Sequence, residues 1–480
     1  MYVSGSRYLT SAGDSGRGSN LLTASGAGSE HDKTYEHFDA RSQGGISLTR
    51  YSREKASQRT AQRARPLNQV VLVGALLALS LGDVGCSRKS TPSSSGATAA
   101  AAPSLKIGVL TDLTGLYADL TGKGSVEAAK MAVEDSGGKV DDKSVEVVSG
   151  DHLNKPDVGS NLVRQWFDVD KVDVVVDVPT SSVALAVNEL SAKANKVFLA
   201  SGTATSDLTG KACTPNTIHW TYDTWALANG TGKAVVKSGG DTWFFLTVDY
   251  AFGHALERDT TAVIKANGGK ALGSARHPLN TSDFSSFLLQ AQQSKAKVIG
   301  LANAGGDARN ALKQATEFGL QKGGQRMAGL LMGISDIHAL GLPATQGLLM
   351  TAPFYWDQND QTRAWSKRFA QRMNGTMPSY IHAGVYSAVL HYLKAVKELH
   401  SASDGKAVVA KMKELGTDDP LFGKGTVRAD GRKMHPMYLY EAKAPAESKG
   451  AWDYQKLLQQ IPADEAFRPM SEGDCPLVKK

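Results

Sequence analysis

The stretch from Leu105 to Ser136 predicts a strand, a polar loop and a helix, and it constrains the fold more than any other segment. Its first apolar positions, Leu105, Ile107, Val109 and Leu110, are typical of a buried strand. Turn-forming residues occupy 112–121, and a helical stripe then runs to Gly137. The polar loop therefore follows the carboxyl end of a strand, where open α/β sheets bind their ligands.

Strand and helix patterns alternate after this first unit. β-branched residues dominate 172–178, as expected for a strand covered on both faces, and helical patterns flank it at 156–167 and 181–195. The same plan repeats after Tyr222. This alternation predicts an α/β fold with parallel, helix-covered sheets.

The last third of the chain departs from that plan. Two long helices are predicted over 360–373 and 379–399, the second with an apolar stripe at helical spacing. Residues 423–443 have the pattern of a hairpin of two strands, and a tail then runs to Cys475.

The front of the chain has the composition of a leader rather than of a folded domain. Residues 1–66 are rich in Ser, Gly and Arg, which predicts a disordered extension. A basic stretch then meets the apolar run from Val70 to Leu81, which is short for a bilayer span and typical of a secretory signal. We interpret 67–86 as the signal with its processing site; a buried helix or a short anchor is the alternative.

Cys86 follows the apolar run and precedes a Ser/Ala-rich tether at 87–104. The arrangement resembles a bacterial lipoprotein, in which such a cysteine carries lipid, although Asp83 stands where an apolar residue is expected. Ordinary cleavage near Ala99 is the alternative to lipidation.

Only two further cysteines occur, Cys213 and Cys475. An even pair in an exported chain predicts one disulfide, which would join the tail to a distant loop. Two unpaired thiols are the alternative.

Charge and motifs exclude several functions. The formal charge is +7, and it falls to +4 without residues 1–86, with no basic run that interleaves aromatics, so no nucleic-acid partner is expected. The segment 121–125 misses the Walker spacing, no HExxH or Cys/His cluster indicates a metal, and no GxSxG elbow indicates a hydrolase. We therefore expect no enzyme activity, no metal and no cofactor.

Polar residues cluster in three loops at predicted strand ends of the first half of the fold, and all are expected to face one crevice. These residues are Tyr117 and Asp119; Thr180, Ser181 and Ser182; and Ser201, Thr203 and Thr205. Ser182 is predicted to be the N-cap of a helix whose amino end suits an anion. Capping and turn formation alone are the alternative reading of these side chains.

Several segments, in this order, resemble the type I periplasmic solute-binding proteins of ABC importers, and most closely the branched-chain amino-acid and amide-binding group. They are LKIGVLTDLTGLYADLTGKGSVEAAKMAVED, VDVPTSSVALAV, KVFLASGTATSDL, DYAFG and FGKGTVRADGRKMHPMYLYEAK. The resemblance implies two Rossmann-like lobes joined by three hinge crossovers, with the ligand enclosed between them. It places the first lobe at 105–222 and 353–432, and the second lobe with the C-terminal tail at 223–352 and 433–480.

The resemblance also implies roles for individual residues. Hydroxyls at Ser182, Thr203 and Thr205 would hold a ligand carboxylate. The strand ends of the second lobe offer Tyr250, Phe252, Asn303 and Asp336, of which the acid would meet a ligand ammonium. Tyr355 and Trp356 follow a crossover and are further candidates, whereas Ala304 and Gly305 stand where amino-acid binders carry an aromatic residue.

The function that this resemblance implies is that of an exported, monomeric solute-binding receptor. It would capture an amino acid, an amide or an aromatic or other organic acid by closure of two lobes, and deliver it to an ABC permease in the inner membrane. The protein would be periplasmic, free or anchored through Cys86. A sensor of the same fold without a transport role is the alternative.

Overall fold

The structure is a computed structural model in which residues 104–479 are described. The predicted extension at 1–66, the signal segment at 67–86 with Cys86, and all of the tether except Ser104 lie outside the described residues. Within the part that is described, no helix has both the length and the apolar character that a membrane span requires.

The described residues form sixteen strands and fourteen helices. The strands are β1 Ser104–Thr111, β2 Lys139–Val140, β3 Lys143–Asp151, β4 Val174–Asp177, β5 Val197–Ala200, β6 Thr217–His219, β7 Thr242–Val248, β8 Lys270–His277, β9 Val298–Ala302, β10 Arg326–Gly329, β11 Leu349–Ala352, β12 Thr417–Asp419, β13 Gly423–Val427, β14 Lys433–Met434, β15 Met437–Ala442 and β16 Gln455–Ile461. The helices are α1 Gly122–Asp135, α2 Pro156–Gln165, α3 Ser181–Ala194, α4 Thr224–Leu227, α5 Lys233–Lys237, α6 Ala251–Ala266, α7 Ser285–Gln293, α8 Gly305–Glu317, α9 Ile334–Leu340, α10 Leu342–Thr345, α11 Asp360–Arg372, α12 Tyr380–Leu399, α13 Gly405–Glu414 and α14 Ala463–Ala466.

Two sheets carry the two lobes. The first lobe is built on six strands in the order β2-β3-β1-β4-β5-β6, parallel except for the β2 and β3 pair. The second is built on four parallel strands in the order β10-β9-β7-β8. The carboxyl ends of both sets of strands lead into the loops that face the cleft.

Strand β4 shows why the first sheet is buried on both faces. Val174 and Val176 pack in one apolar core with α1, while Val175 packs in a second core with residues of α2 and α3. Because successive side chains of a strand point to opposite faces, a continuous valine run supplies both cores. The prediction of a helix-covered parallel sheet is confirmed.

The chain crosses between the lobes three times, after β6, after β11 and between β14 and β15. Helices α11 and α12 return to the first lobe, where the Nε2 atom of His382 lies 2.8 Å from the Thr121 carbonyl oxygen and the Tyr386 hydroxyl donates to Asp135 at 2.7 Å. Arg432 joins two of the crossovers, since its guanidinium donates to the carbonyl of Tyr222 at 3.0 Å.

The predicted hairpin at 423–443 is only partly correct. Strands β13 and β14 do pair, but β15 leaves them and pairs with β11 on one side and β16 on the other. Pro436 separates β14 from β15. In the sheet that β15 forms with β11 and β16, the side chains of Met437 and Leu439 are buried. The sequence patterns also failed to predict several elements, among them β6, β8, α7, α9, α13 and β16.

The tail returns to the first lobe. Cys213, in the loop between β5 and β6, forms a disulfide with Cys475, and the two Cα atoms are 5.6 Å apart. This pairing confirms the prediction made from the cysteine count.

Candidate functional site

A small cavity lies between the two lobes. It is lined by Tyr117, Leu120, Thr121, Pro179, Gly202, Ala204, Tyr222, Tyr250, Phe252, Ala304, Leu331 and Ile381. None of these residues carries a formal charge, and three of them are tyrosines. The cavity is therefore apolar with a few hydroxyl and backbone polar groups, which is the usual character of a small-molecule site.

Tyr117 and Tyr250 connect the two lobes across this cavity. Their hydroxyl oxygens are 2.8 Å apart, one residue coming from the loop after β1 and the other from the end of β7. Burial raises the pKa of both phenols, so both stay protonated at neutral pH. Of the two hydroxyl protons, one takes part in the bond between the tyrosines, and the other can be donated to another acceptor.

Backbone contacts reinforce this junction. The Tyr117 N–H donates to the carboxylate of Asp112 at 2.9 Å, which fixes the loop after β1. The N–H of Gly306 donates to the carbonyl of Leu116 at 3.2 Å, from the second lobe to the first. The structure therefore shows the cleft closed.

Tyr222 contributes the third phenol and stands at the first crossover. Its hydroxyl donates to the carbonyl of Gly202 at 2.8 Å, and its ring meets the edge of Tyr380 at a centroid distance of 5.2 Å. It was predicted only as a boundary between lobes, not as a cavity residue.

The predicted hydroxyl cluster of the loop after β5 lies behind the cavity wall. Ser201 accepts the N–H of Asp177 at 3.1 Å, and Thr203 donates to the carbonyl of Val178 at 2.6 Å. Thr205 accepts the N–H of Asp207 at 3.4 Å. The intervening residues Gly202 and Ala204 line the cavity instead.

The start of α3 differs from the prediction. Thr180 occupies the N-cap position and the helix begins at Ser181, so the assignment of Ser182 as the N-cap was wrong. Ser181 is buried and accepts the N–H of Thr205 at 3.3 Å, while Ser182 is half-buried in the first turn. The helix therefore starts at Ser181, as its pattern predicts, but its N-cap lies two residues before Ser182, at Thr180, whose backbone is extended.

The second lobe brings only part of its predicted set to the cavity. Phe252 and Tyr250 line it, whereas the amide of Asn303 lies 3.0 Å from the His277 ring nitrogen Nε2 and the neighbouring Ala304 takes the wall position. In the sequence, Ala304 stands out only as a departure from the pattern of the amino-acid binders.

Asp336 is buried beside the cavity wall rather than in it. Its carboxylate accepts the N–H of Gly333 at 2.9 Å and lies 3.6 Å from Arg309. Burial raises its pKa to about 6, although Arg309 lowers it. Arg309 also reaches Asp119 of the first lobe at 3.0 Å, so the predicted residue Asp119 is an exposed inter-lobe ion-pair partner.

Tyr355 and Trp356 lie outside the cavity. The Tyr355 hydroxyl donates to the carbonyl of Trp452 at 2.9 Å, and the Trp356 indole donates to the same oxygen at 2.8 Å. Both side chains therefore fix the segment before β16.

The chain, with its two lobes, matches a known protein family. The periplasmic binding protein family matches residues 104–451. This chain belongs to that family. Its type I binding-protein fold explains both the two lobes and the enclosed cavity.

Solved structures agree with this family assignment. A periplasmic binding protein from Burkholderia mallei is 52% identical, with 78% of this chain and 99% of that chain covered and a TM-score of 0.77. A branched-chain amino acid ABC transporter periplasmic ligand-binding protein from Burkholderia xenovorans is 39% identical, with the same shares covered and a TM-score of 0.69. A solute-binding protein of an ABC transporter from R. palustris, in complex with benzoate, shares the fold at 21% identity, with 75% and 97% covered and a TM-score of 0.67. A search of curated proteins finds no match.

Proposed function

We propose that this binding protein is an exported, non-enzymatic receptor that encloses a small amphipathic organic acid between its lobes and delivers it to an ABC permease. The observation that carries the proposal is the uncharged, tyrosine-lined cavity at the closed junction of the lobes. Because that cavity combines apolar side chains with a few hydroxyl and backbone polar groups, it favours a small ligand with an apolar body and a polar end, such as an aromatic ring with a carboxylate.

The charge pattern of the site favours an organic acid over an amino acid. A ligand ammonium buried in an apolar cavity needs a carboxylate in direct contact with it, and none of the residues that line the cavity supplies one. Asp336, the acid that the family resemblance offers, is already bonded to Gly333 and faces Arg309, and it does not line the cavity. Ala304 lines the cavity at a position where, by the family resemblance, amino-acid binders carry an aromatic residue.

We place the ligand carboxylate toward the amino end of α3. Pro179 and Gly202 bring that end of the cavity next to the first turn of a fourteen-residue helix, whose free N–H groups and dipole favour negative charge. The family resemblance offers the hydroxyls of Ser182, Thr203 and Thr205 here, but none of the three lines the cavity, so the backbone N–H groups of the first turn would be the main partners of the carboxylate. The aromatic end would pack against Phe252 and Tyr250, which come from the second lobe.

Calorimetry tests the ligand class. We expect benzoate, the ligand of the R. palustris protein, to bind the purified protein more tightly than L-leucine does, because only leucine brings an unpaired ammonium. Phe252→Leu should weaken benzoate binding about three- to tenfold through lost aromatic contact. Phe318→Leu, at an exposed position of the same lobe, is the matched control and should bind as the parent does. Tighter binding of leucine would instead favour an amino-acid receptor.

Transport and export need separate measurements. Cells that lack this protein should lose uptake of the labelled ligand, and unchanged uptake would favour the sensor role. Amino-terminal analysis of protein from the cell envelope should show that the signal segment at 67–86 has been removed, and labelling with a lipid precursor should report whether Cys86 is modified.

A further inference from the structure

A buried carboxylate lies directly behind the cavity wall and has no role in the site described above. Asp177 ends β4 and has no exposed surface. Neither of its carboxylate oxygens completes a hydrogen bond with a described residue, although the hydroxyls of Thr111 and Ser125 lie near enough to affect its titration. The Ser125 hydroxyl is itself buried without a hydrogen-bond partner among the described residues.

The backbone at Asp177 and Val178 has a conformation that is unfavourable for residues with side chains. Asp177 has a φ of 79° and Val178 a φ of 56°, two successive left-handed residues of which the second is β-branched. Such conformations are unfavourable and persist only where the surroundings impose them. Here the N–H of Asp177 donates to Ser201, its carbonyl accepts the Gly202 N–H at 3.0 Å, and the N–H of Val178 donates to Leu110 at 2.9 Å.

Only a glycine separates Asp177 from the cavity. Gly202 lines the cavity, and a Cβ atom added to it would overlap Oδ1 of Asp177. Tyr222, also in the cavity wall, has its pKa raised by burial and further by the neighbouring charges of Tyr380 and Asp177. The charge of Asp177 therefore acts on a residue of the cavity wall.

We propose that Asp177 takes up a proton from solvent when a carboxylate ligand enters the cavity, so that binding of the anion is coupled to neutralisation of the buried acid. The coupling rests on the organic-acid ligand proposed above. One proton moves from water or buffer to a carboxylate oxygen of Asp177, and no other bond changes. The physical reason is that two negative charges repel strongly when low-dielectric protein, rather than water, surrounds them.

The groups around Asp177 support this assignment. Burial raises its pKa to about 7, the hydroxyls of Thr111 and Ser125 lower it, and Asp112 raises it. The titratable groups that face it are Asp112, from the loop after β1, and Tyr222, after β6; α1 contributes the Ser125 hydroxyl and the loop after β5 contributes Ser201. Asp177 is thus poised so that a nearby anion changes its protonation close to neutral pH.

Calorimetry of benzoate binding in two buffers of different ionisation enthalpy measures the proton directly. At about pH 8 we expect uptake of between about half a proton and one proton per benzoate bound. Benzamide, which is neutral, should bind without uptake. In Asp177→Asn the uptake should disappear, and asparagine suits the position because it keeps the shape and tolerates positive φ.

A second variant acts on the same proton without touching the acid. Ser125→Ala removes a hydroxyl that lowers the pKa of Asp177, so the pH at which uptake declines should move upward. Benzoate binding without uptake in the parent protein would overturn the coupling and leave the ligand class intact. Asp307 is a buried acid of α8 in the second lobe, and burial raises its pKa to about 6. Uptake that persists in Asp177→Asn but is lost in Asp307→Asn would assign the proton to the second lobe and also overturn the coupling. Failure of benzoate to bind at all would overturn the carboxylate ligand and the coupling together.

Discussion

At the scale of single residues, Gly202 decides how close the cavity comes to the buried acid. Its missing side chain lets the carboxylate of Asp177 pack against the wall, and its carbonyl accepts the Tyr222 hydroxyl at 2.8 Å. A side chain at position 202 would overlap the carboxylate of Asp177. The carboxylate could move away only into the apolar core of the sheet, where its desolvation would cost more free energy.

Gly202→Ala should therefore impair both stability and binding. The new methyl group would displace Asp177 or push the wall into the cavity, which we expect to lower the unfolding free energy by about 1–3 kcal/mol and weaken ligand binding at least tenfold. Thermal unfolding and calorimetry provide the two readouts. Gly416→Ala is the matched control, since its Cβ would meet only a carbonyl oxygen at 3.6 Å. Equal behaviour of the two variants would refute the close approach at Gly202.

At the scale of structural elements, α8 joins the lobes through one side chain. Arg309 contacts Asp119 of the first lobe at 3.0 Å and lies 3.6 Å from the buried Asp336 of its own lobe. The Asp119 side chain is 65% exposed, so this pair alone should favour closure only slightly. The larger effect of Arg309 is on Asp336, whose burial in the first turn of α9 is otherwise compensated only by the N–H of Gly333.

Removing Arg309 should make stability depend more strongly on pH. The pKa of Asp336 is raised to about 6, so the stability linked to it is fully present below about pH 4 and is lost as the pH rises through 6. Arg309 lowers that pKa, so Arg309→Met should raise it further and enlarge the loss on the alkaline side.

Thermal unfolding at pH 5 and pH 8 checks this expectation. Arg309→Met should differ from the parent mainly at pH 8, and its affinity for ligand should fall by about two- to fivefold because closure loses one contact. Arg363→Met, which removes an ion pair with Asp357 on the surface, is the control and should show neither effect. An equal destabilisation at both pH values would contradict the role given to Asp336.

At the scale of the whole molecule, the Cys213–Cys475 disulfide closes a segment of 262 residues that includes the second lobe and all three crossovers. In the chain-entropy model, closing so long a loop stabilises the fold by about 5 kcal/mol. Neither cysteine lines the cavity, although Gly202 and Ala204 from the same loop as Cys213 do. The disulfide should therefore affect stability far more than binding.

Reduction of this bond is accordingly expected to lower the denaturant midpoint substantially while ligand affinity stays within about twofold. A Cys213→Ser/Cys475→Ser variant should match the reduced protein and should not respond to reductant. A parent protein whose unfolding is unaffected by reductant would contradict the stabilising role of the disulfide.

The sequence by itself determined the α/β class and the parallel, helix-covered sheets. Strand and helix periods are recorded locally, because burial on both faces selects a valine run such as β4 and burial on one face selects a stripe such as that of α12. The cysteine pair was equally readable, since only two thiols were available in the body of the chain. Tyr117, Tyr250 and Phe252 were also found, because polar-aromatic loops at strand ends mark the ligand edge of such sheets.

Only the tertiary structure decided which residues line the cavity. Leu120, Leu331 and Ile381 line the cavity, yet their sequence signal is that of any core residue, since an apolar pattern does not distinguish a packed neighbour from an empty space. The hydroxyls of Ser201 and Thr203 form hydrogen bonds with backbone groups instead of lining the cavity. The reason is that buried backbone N–H and C=O groups in those loops need hydrogen-bond partners. The unpartnered carboxylate of Asp177 was hidden for the same reason: burial and hydrogen bonding depend on residues distant in sequence, which the chain brings together only when it folds.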